Sequence, residues 1–433
     1  MRINLIAFCL LLASHSVFSA AKIDHWKTPQ GSSVFYVETK GLPMVDVRVV
    51  FDGGSARDGY QQGVAALTSA LLDKGAGNLS ADDIAQRFEN VGAQFGAGVS
   101  RDMAWLSLRS LTDTKLLDQS LSTMRQILVR PRFNEQDFQR EKSRTLAGLK
   151  QREESPSAIA KMSFFKSLYK DHPYAHPKSG IVETVSGFSV NNLKDFYEKH
   201  YVASNAMIVI VGDIRKAHAI KIAETLVADL AVGTKPEILP EVAFSAQGLN
   251  KHISFPSAQT HVLSGVIGSH RKDKDYFDLY VGNHILGGSG LVSLLFGEVR
   301  EKRGLAYSAY SYFSPLFRKG PFTMGLQTRN DQTSEAVAVM KQTLKNFVDN
   351  GPTEKQLLAA KKNITGGFVM RFDTNRKLIS YVSMIGFYQL PLDYLEQFQG
   401  KVEAVTVTSI KDAFYRRVKI DSLHTITVGG ISE

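Results

Sequence analysis

LGGSGLVSLLFGEVREKRGLAYSAYSYF, residues 286–313, carries three signals in succession. Gly287, Gly288 and Gly290 predict a flexible turn, since glycine accepts backbone conformations that strain other residues. From Leu291 to Lys302 the apolar residues Leu291, Leu294, Leu295 and Val299, with Phe296 on the flank, recur at helical spacing. Gly304 stands where a glycine usually stops a helix. Ala306 to Phe313 then alternates small and aromatic residues, with Tyr310 and Tyr312 on one face, and reads as a strand. Helix, break and strand bring Arg300, in the last helical turn, towards Tyr307, just past the break. Both side chains donate hydrogen bonds and neither is a strong base at neutral pH. Together they suit a peptide carbonyl or an oxyanion. Spacing alone leaves a second reading open, an Arg favoured by a helix C-terminus and a Tyr packed in a sheet.

Outward from this stretch, strands and helices alternate in both directions. Towards the C-terminus come a strand from Phe322 to Thr328 and helices at 332–350 and 353–371. HTITVGG closes the chain at 424–430. In the first half SVFYVE and MVDVRVVF (33–38 and 44–51) read as strands, followed by a helix over 62–73. A helix opens after an N-cap signal at Ser80, a glycine-rich strand region spans 92–110, and helices occupy 115–128, 134–154, 156–167 and 190–199. MIVIVGD at 207–213 echoes the closing strand, and Gly212 and Gly429 lie 217 positions apart. Two repeats of about 200 residues follow from that spacing. The expected class is α+β, two homologous domains each with a mostly antiparallel sheet packed with helices. Their expected limits are 22–232 and 250–433, joined by an irregular linker at 233–249 that holds Gly233, Pro236, Pro240 and Gly248.

Residues 1–21 read as a cleaved export signal: Arg2, an apolar run from Ile3 to Ala13, and small residues at Ser19-Ala20-Ala21. The run is short for a membrane span. Cleavage would remove Cys9, the only cysteine, and take the formal charge from +10 to +9, Arg2 being the one charged residue lost. An exported chain without disulfides is compatible with a bacterial periplasm. The positive excess is spread rather than clustered and no nucleic-acid motif occurs, so charge does not argue for DNA or RNA. No later apolar run is long enough for an integral membrane helix.

The chain resembles the inverzincin family, the insulinase, pitrilysin and mitochondrial-processing-peptidase group, along essentially its whole mature length. The likeness rests on LGGSG and FGEVREKRGLAYS, on HPYAHPKSG at 172–180, and on DFYEKHYVASNAMIVIVGDI at 195–214. It implies that two such two-domain units form a clam-shell chamber around a peptide, this chain being one half. Active members carry H-x-x-E-H on a first-domain helix, two His ligands for zinc with a Glu base between them. Here the matching run is GVAALTSALLDKG, residues 63–75. The ligand positions are Ala66 and Ala70, the base position is Ser69, and the third ligand falls at Gly148 to within a residue or so. No histidine occurs between Trp26 and Asp171. His172 and His176 are interrupted by prolines, and the later histidines show no ligand spacing, so no metal site or cofactor is expected in this chain.

The resemblance gives Arg300 and Tyr307 a role, because R-E-K-x-G-L-x-Y in the family reaches across to bind the substrate carbonyl. Gly287, Gly288 and Gly290 match its glycine-rich, substrate-presenting loop, a plain turn being the other reading. The expectation is a non-catalytic, substrate-binding subunit of a periplasmic zinc peptidase. Its heterodimer partner would have an intact H-x-x-E-H and hold the zinc, and its substrate would be a peptide. The alternative is a peptide-binding or scaffold protein without peptidase activity, in which case a homodimer replaces the heterodimer.

Overall fold

The computed structural model describes residues 22–244 and 246–430. The expected export signal, with Cys9, lies outside the described residues. The first half begins with strands β1 (Asp24–Lys27), β2 (Ser33–Glu38) and β3 (Met44–Phe51), then helix α1 (Val64–Leu71). Short strands β4 (Gly75–Ala76) and β5 (Leu79–Ser80) lead to α2 (Ala81–Glu89) and the hairpin β6 (Gln94–Val99) and β7 (Ala104–Leu111). Helices α3 (Thr114–Val129), α4 (Glu135–Glu153), α5 (Pro156–Tyr169), α6 (Val182–Ser186) and α7 (Val190–His200) follow, then β8 (Ala206–Gly212) and α8 (Lys216–Val227).

The second half opens with β9 (Leu249–Ile253), β10 (Gln259–Ile267) and α9 (Tyr276–Asn283). After the short α10 (Leu294–Phe296) come β11 (Ala306–Phe313) and β12 (Pro321–Arg329). The half ends with α11 (Thr333–Asn350), α12 (Glu354–Gly366), α13 (Asn375–Phe387), α14 (Tyr394–Glu403), α15 (Val407–Arg417) and β13 (His424–Val428). Helices α13 to α15 fill a segment for which no element was predicted. The helix expected over 353–371 stops at Gly366, with a separate 3-10 turn at 369–371.

The two sheets share one topology. The first runs β1-β2-β8-β3-β7-β6 and the second β11-β12-β10-β13-β9. In each, the closing Gly-terminated strand lies parallel to an early strand of the same half, β8 on β2 and β13 on β9. Every other pairing between neighbours is antiparallel. Five strands of the first sheet thus have counterparts in the second, and β1 is an addition at the first sheet's edge.

Strand β8, AMIVIVG, is buried at all seven positions, which requires cover on both faces. Alternate residues divide accordingly. Ile208 and Ile210 join the first half's own core with Val47, Val49 and α1 residues. Met207, Val209 and Val211 face the other way, into a core that contains Leu378, Ile379, Val382 and Ile385 of α13. The exchange is reciprocal. Ala160, Phe164 and Leu168 of α5 pack against Ile426 and Val428 on the second sheet. Each half lends one helix to cover the other's sheet. Both contacts are too close for a side chain: a Cβ on Gly386 would lie 2.6 Å from Met207 Sδ, and one on Gly265 would lie 2.9 Å from the Phe164 ring.

A polar hub lies at the same junction. The buried Asp102, in the β6–β7 turn, accepts hydrogen bonds from Tyr174 Oη (2.6 Å), Tyr388 Oη (2.9 Å) and the Phe317 backbone N–H (2.8 Å). Burial pushes its carboxyl above the usual range, against those three donors. The irregular 233–248 segment is seated here too, with Leu239 and Val242 buried between the halves.

A second carboxylate fixes the last helix of the fold. Asp275 accepts two hydrogen bonds from Arg416 (2.8 and 2.9 Å) and one from Arg417 (2.8 Å). The Arg416 bonds, ahead of those from Arg417, hold its carboxyl down at about 2. A group whose folded pKa lies below its unfolded value stabilises the fold above the unfolded value, and that contribution fades as pH falls towards the folded one. Asp275→Asn should therefore cost about 2 kcal/mol at pH 7 and almost nothing at pH 2. Urea midpoints of both proteins at the two pH values check this, and a gap that persists undiminished in acid contradicts it.

Candidate functional site

Helix α1 carries the run that aligns with the zinc motif. The Asp58 carboxylate starts the helix by accepting from the backbone N–H groups of Gly63 (2.7 Å) and Ala65 (2.9 Å). Burial raises its pKa to about 7, outweighing those two bonds. Gly63 has φ 100° and meets the Ser179–Gly180 backbone so closely that a Cβ would lie 2.7 Å from the Ser179 carbonyl. The HPYAHPKSG loop is thereby pinned to the head of α1. His176 Nδ1 stands 3.9 Å from Asp58 Oδ2, and His172 Nε2 is 3.0 Å from the Pro240 carbonyl. Both histidines serve the loop and its neighbours.

Ala66 and Ala70 share one face of α1, both half-buried, with Ser69 buried beside them. Gly148 is exposed on α4, with open space where its side chain would be. Methyl groups, one hydroxyl and a bare backbone cannot replace the two imidazoles and carboxylate that zinc takes. Among the described residues no group of three His, Cys, Asp or Glu is placed to hold a metal. The residues at the aligned positions do not fit zinc.

The second-half stretch is built differently from its expected form. Gly287 and Gly288 lie in a π-helical turn, His284–Gly288, that extends α9 rather than in a loose loop. A Cβ on Gly287 would lie 2.4 Å from the Ser311 backbone nitrogen, so this glycine lets the turn press against β11. Gly290, at φ 63° with no neighbour, is the one true reversal of the three. The following helix begins only after Ser293, which caps it, and Leu291 and Val292 stand 67% and 84% exposed. Leu291 is therefore not on the apolar face. Leu295, Phe296 and Val299 are buried, as the spacing requires.

Arg300 and Tyr307 do meet. The chain leaves a π-helical turn (Gly297–Glu301), reverses at Gly304 with φ 63°, and enters β11. The Arg300 guanidinium lies 4.5 Å over the Tyr307 ring and 4.9 Å over the Phe296 ring. Pairing between β11 and β12 slips by one residue between Ala306 and Ala309, a β-bulge. Bulges turn side chains out of the sheet's alternation, and here Tyr307 and Ser308 both face solvent, Tyr307 at 81% exposure. The bulge is the feature that presents the phenol, and strand alternation alone did not reveal it. Glu298 is occupied by Lys302 and Arg303. Arg300 has no carboxylate partner among the described residues. Its unused N–H groups and the Tyr307 hydroxyl form a small, outward, cationic donor set.

Among the described strands each sheet has two open edges, β1 and β6 in the first and β9 and β11 in the second, and β11 is the edge that carries Tyr307. Such edges are templates for an added strand. Tyr310 and Tyr312 stack with ring centres 5.8 Å apart along β11.

Comparison with known proteins agrees with this layout. Residues 33–180 match the model of the insulinase family, peptidase family M16, and residues 187–364 match that of the peptidase M16 inactive domain. The crystal structure of a peptidase M16 inactive domain from Pseudomonas fluorescens superposes with a TM-score of 0.92 at 35% identity, over 95% of this chain and 98% of that one. A protease from Helicobacter pylori superposes with a TM-score of 0.86 at 19% identity, over 95% of this chain and 100% of that one. Among curated relatives, the non-peptidase homolog YmxG of Helicobacter pylori is 26% identical over 96% of both chains. An uncharacterized zinc protease, YmxG of Bacillus subtilis, is 26% identical over 73% of this chain and 76% of its own.

Proposed function

The chain belongs to the M16 peptidase family, and from that premise we propose that it is the non-catalytic, peptide-binding half of a two-chain zinc peptidase. The observation that carries the reading is the contrast between its two sites. The α1 run keeps the helix and loses the ligands. The Arg300 and Tyr307 pair is held together, turned outward by a bulge and left without a carboxylate partner. A purely structural pair would be expected to pack inward; this one faces whatever closes over β11.

In this reading a second M16 chain with an intact H-x-x-E-H supplies metal and base, and the two chains enclose an extended peptide. The β11 edge supplies backbone hydrogen-bonding groups to that peptide, and Arg300 and Tyr307 donate to the oxygen of the scissile carbonyl. In this reading the leader-like run at residues 1–21 serves as an export signal and the assembly works in the periplasm. A scaffold that binds peptides without cutting them is the second reading, favoured by the same open edges and by the non-peptidase name of the Helicobacter relative.

The test is recovery of the tagged protein from its native cells, with the eluate assayed for peptide hydrolysis with and without chelator. Co-recovery of an H-x-x-E-H chain with chelator-sensitive activity supports the two-chain peptidase. Recovery of an inert homo-oligomer moves the assignment to the scaffold.

A further inference from the structure

We propose that the cleft between the two halves beside Arg101 is a carboxylate-binding subsite, and that its occupant is the C-terminus of a peptide ending in an apolar residue. The proposal deepens the peptide-binding reading and rests on it only for the kind of occupant. The cleft measures about 710 Å³, within the range of ligand sites, and takes walls from α4, α5, the 175–183 segment and the β11–β12 connection.

Arg101 is fixed from two sides. Its guanidinium lies 4.1 Å over the Phe165 ring and one terminal nitrogen donates to the His176 carbonyl at 2.9 Å. Neither contact neutralises it, and among the described residues it forms no ion pair. A planar fork held this way, with donors to spare, matches a carboxylate. A largely desolvated cation without a counter-ion is costly unless something answers it. The surroundings reinforce the sign. Arg152, Lys161 and Lys178 also line the cleft against only Glu153 and Glu183, and none of these five is in an ion pair among the described residues.

Apolar wall comes from Met162, Phe165, Ile181 and Leu316. Cation and apolar wall together select an anionic group attached to an apolar one. A peptide C-terminus and a fatty acid share that chemistry, and the route in favours the peptide. Tyr312 of the edge strand β11 lines the cleft. Tyr307 lies five residues earlier on the same strand, roughly 17 Å away at the usual rise. A peptide extended along β11 from the Arg300 and Tyr307 pair would bring its end to Arg101.

Binding to the purified full chain tests this without any partner, so the absence of a zinc-bearing subunit would not affect the result. The probes are a fluorescent hexapeptide ending in Leu with a free carboxylate, the same peptide as its amide, and oleate. The acid should bind at least tenfold more tightly than the amide. Arg101→Gln should remove that difference and Arg101→Lys should keep part of it. Met162→Glu, at a position 41% exposed and so harmless to folding, should weaken the acid at least fivefold even if Arg101→Gln proves unstable. Equal binding of acid and amide by the wild-type chain overturns the proposal. So does Arg101-dependent binding of oleate with none of the acid peptide, which would make the cleft a lipid site.

Discussion

Arg300→Ala should reduce the kcat of the assembled two-chain peptidase by about a hundredfold while the two chains still co-purify. One preorganised donor to a developing oxyanion is worth roughly 3 kcal/mol of transition-state stabilisation. The guanidinium lies over the rings of Phe296 and Tyr307 and, among the described residues, pairs with no carboxylate. Its removal therefore leaves folding within about 0.5 kcal/mol of wild type. Tyr307→Phe is the finer probe. It keeps the ring under the cation and deletes only the hydroxyl, so it should lower kcat by about tenfold with KM little changed. The side chain is 81% exposed, and an effect on thermal stability is not expected. Full activity of both variants in the complex would remove the pair from the mechanism. Loss of assembly instead of kcat would recast it as a docking contact.

The second large effect concerns the junction of the halves. Asp102→Ala should cost about 4 kcal/mol, a substantial part of the stability of an ordinary domain. The substitution leaves the hydroxyls of Tyr174 and Tyr388 and the Phe317 N–H without their acceptor in a buried place. Each orphaned donor carries its own desolvation cost, about 1–3 kcal/mol. Two of the three donors belong to the second half and one to the first. The loss should therefore loosen the halves as well as lower the midpoint. Denaturant unfolding followed by tryptophan emission would report the first half, since Trp26 and Trp105 both lie there. Circular dichroism would report the whole chain. The two curves should coincide for wild type and separate for the variant. Tyr388→Phe, which removes one donor and leaves the carboxylate its others, should cost about 1 kcal/mol and keep the curves together. Coincident curves and a small loss in Asp102→Ala would show the hub to be dispensable.

Much of the fold was legible because most elements declare their period. SVFYVE and MVDVRVVF alternate or run apolar between turn residues, and both are strands of the first sheet. The echo between 207–213 and 424–430 anticipated the matched sheets, since both strands lie between two neighbours in their sheets and are buried at nearly every position. Helix α13 illustrates the opposite case. Its second half, SYVSMIGF, mixes β-branched residues with a glycine and does not announce a helix. The composition answers to packing across the halves, where Gly386 admits the first sheet's Met207 and Phe35, and no local rule encodes that. The candidate site divides in the same manner. The proximity of Arg300 and Tyr307 follows from helix, Gly304 and strand. The outward turn of Tyr307 comes from a bulge set by pairing with β12, and the tightness at Gly287 comes from Ser311 across the fold.

The lending of α5 and α13 between the halves also sets a timetable. Strand β8 ends at Gly212, but the helix that covers its far face begins only at Asn375. As the chain emerges, Phe35, Met207, Val209 and Val211 have no cover until most of the second half has been made. Helix α5 likewise waits, from residue 156, for a sheet that is not complete until β13 at 424–428. Contacts so distant along the chain make for slow folding, and exposed apolar surface in the interval invites aggregation. The nascent first half has little prospect of settling by itself. A newborn chain of this design stays open for most of its synthesis and closes late, when its last strand arrives.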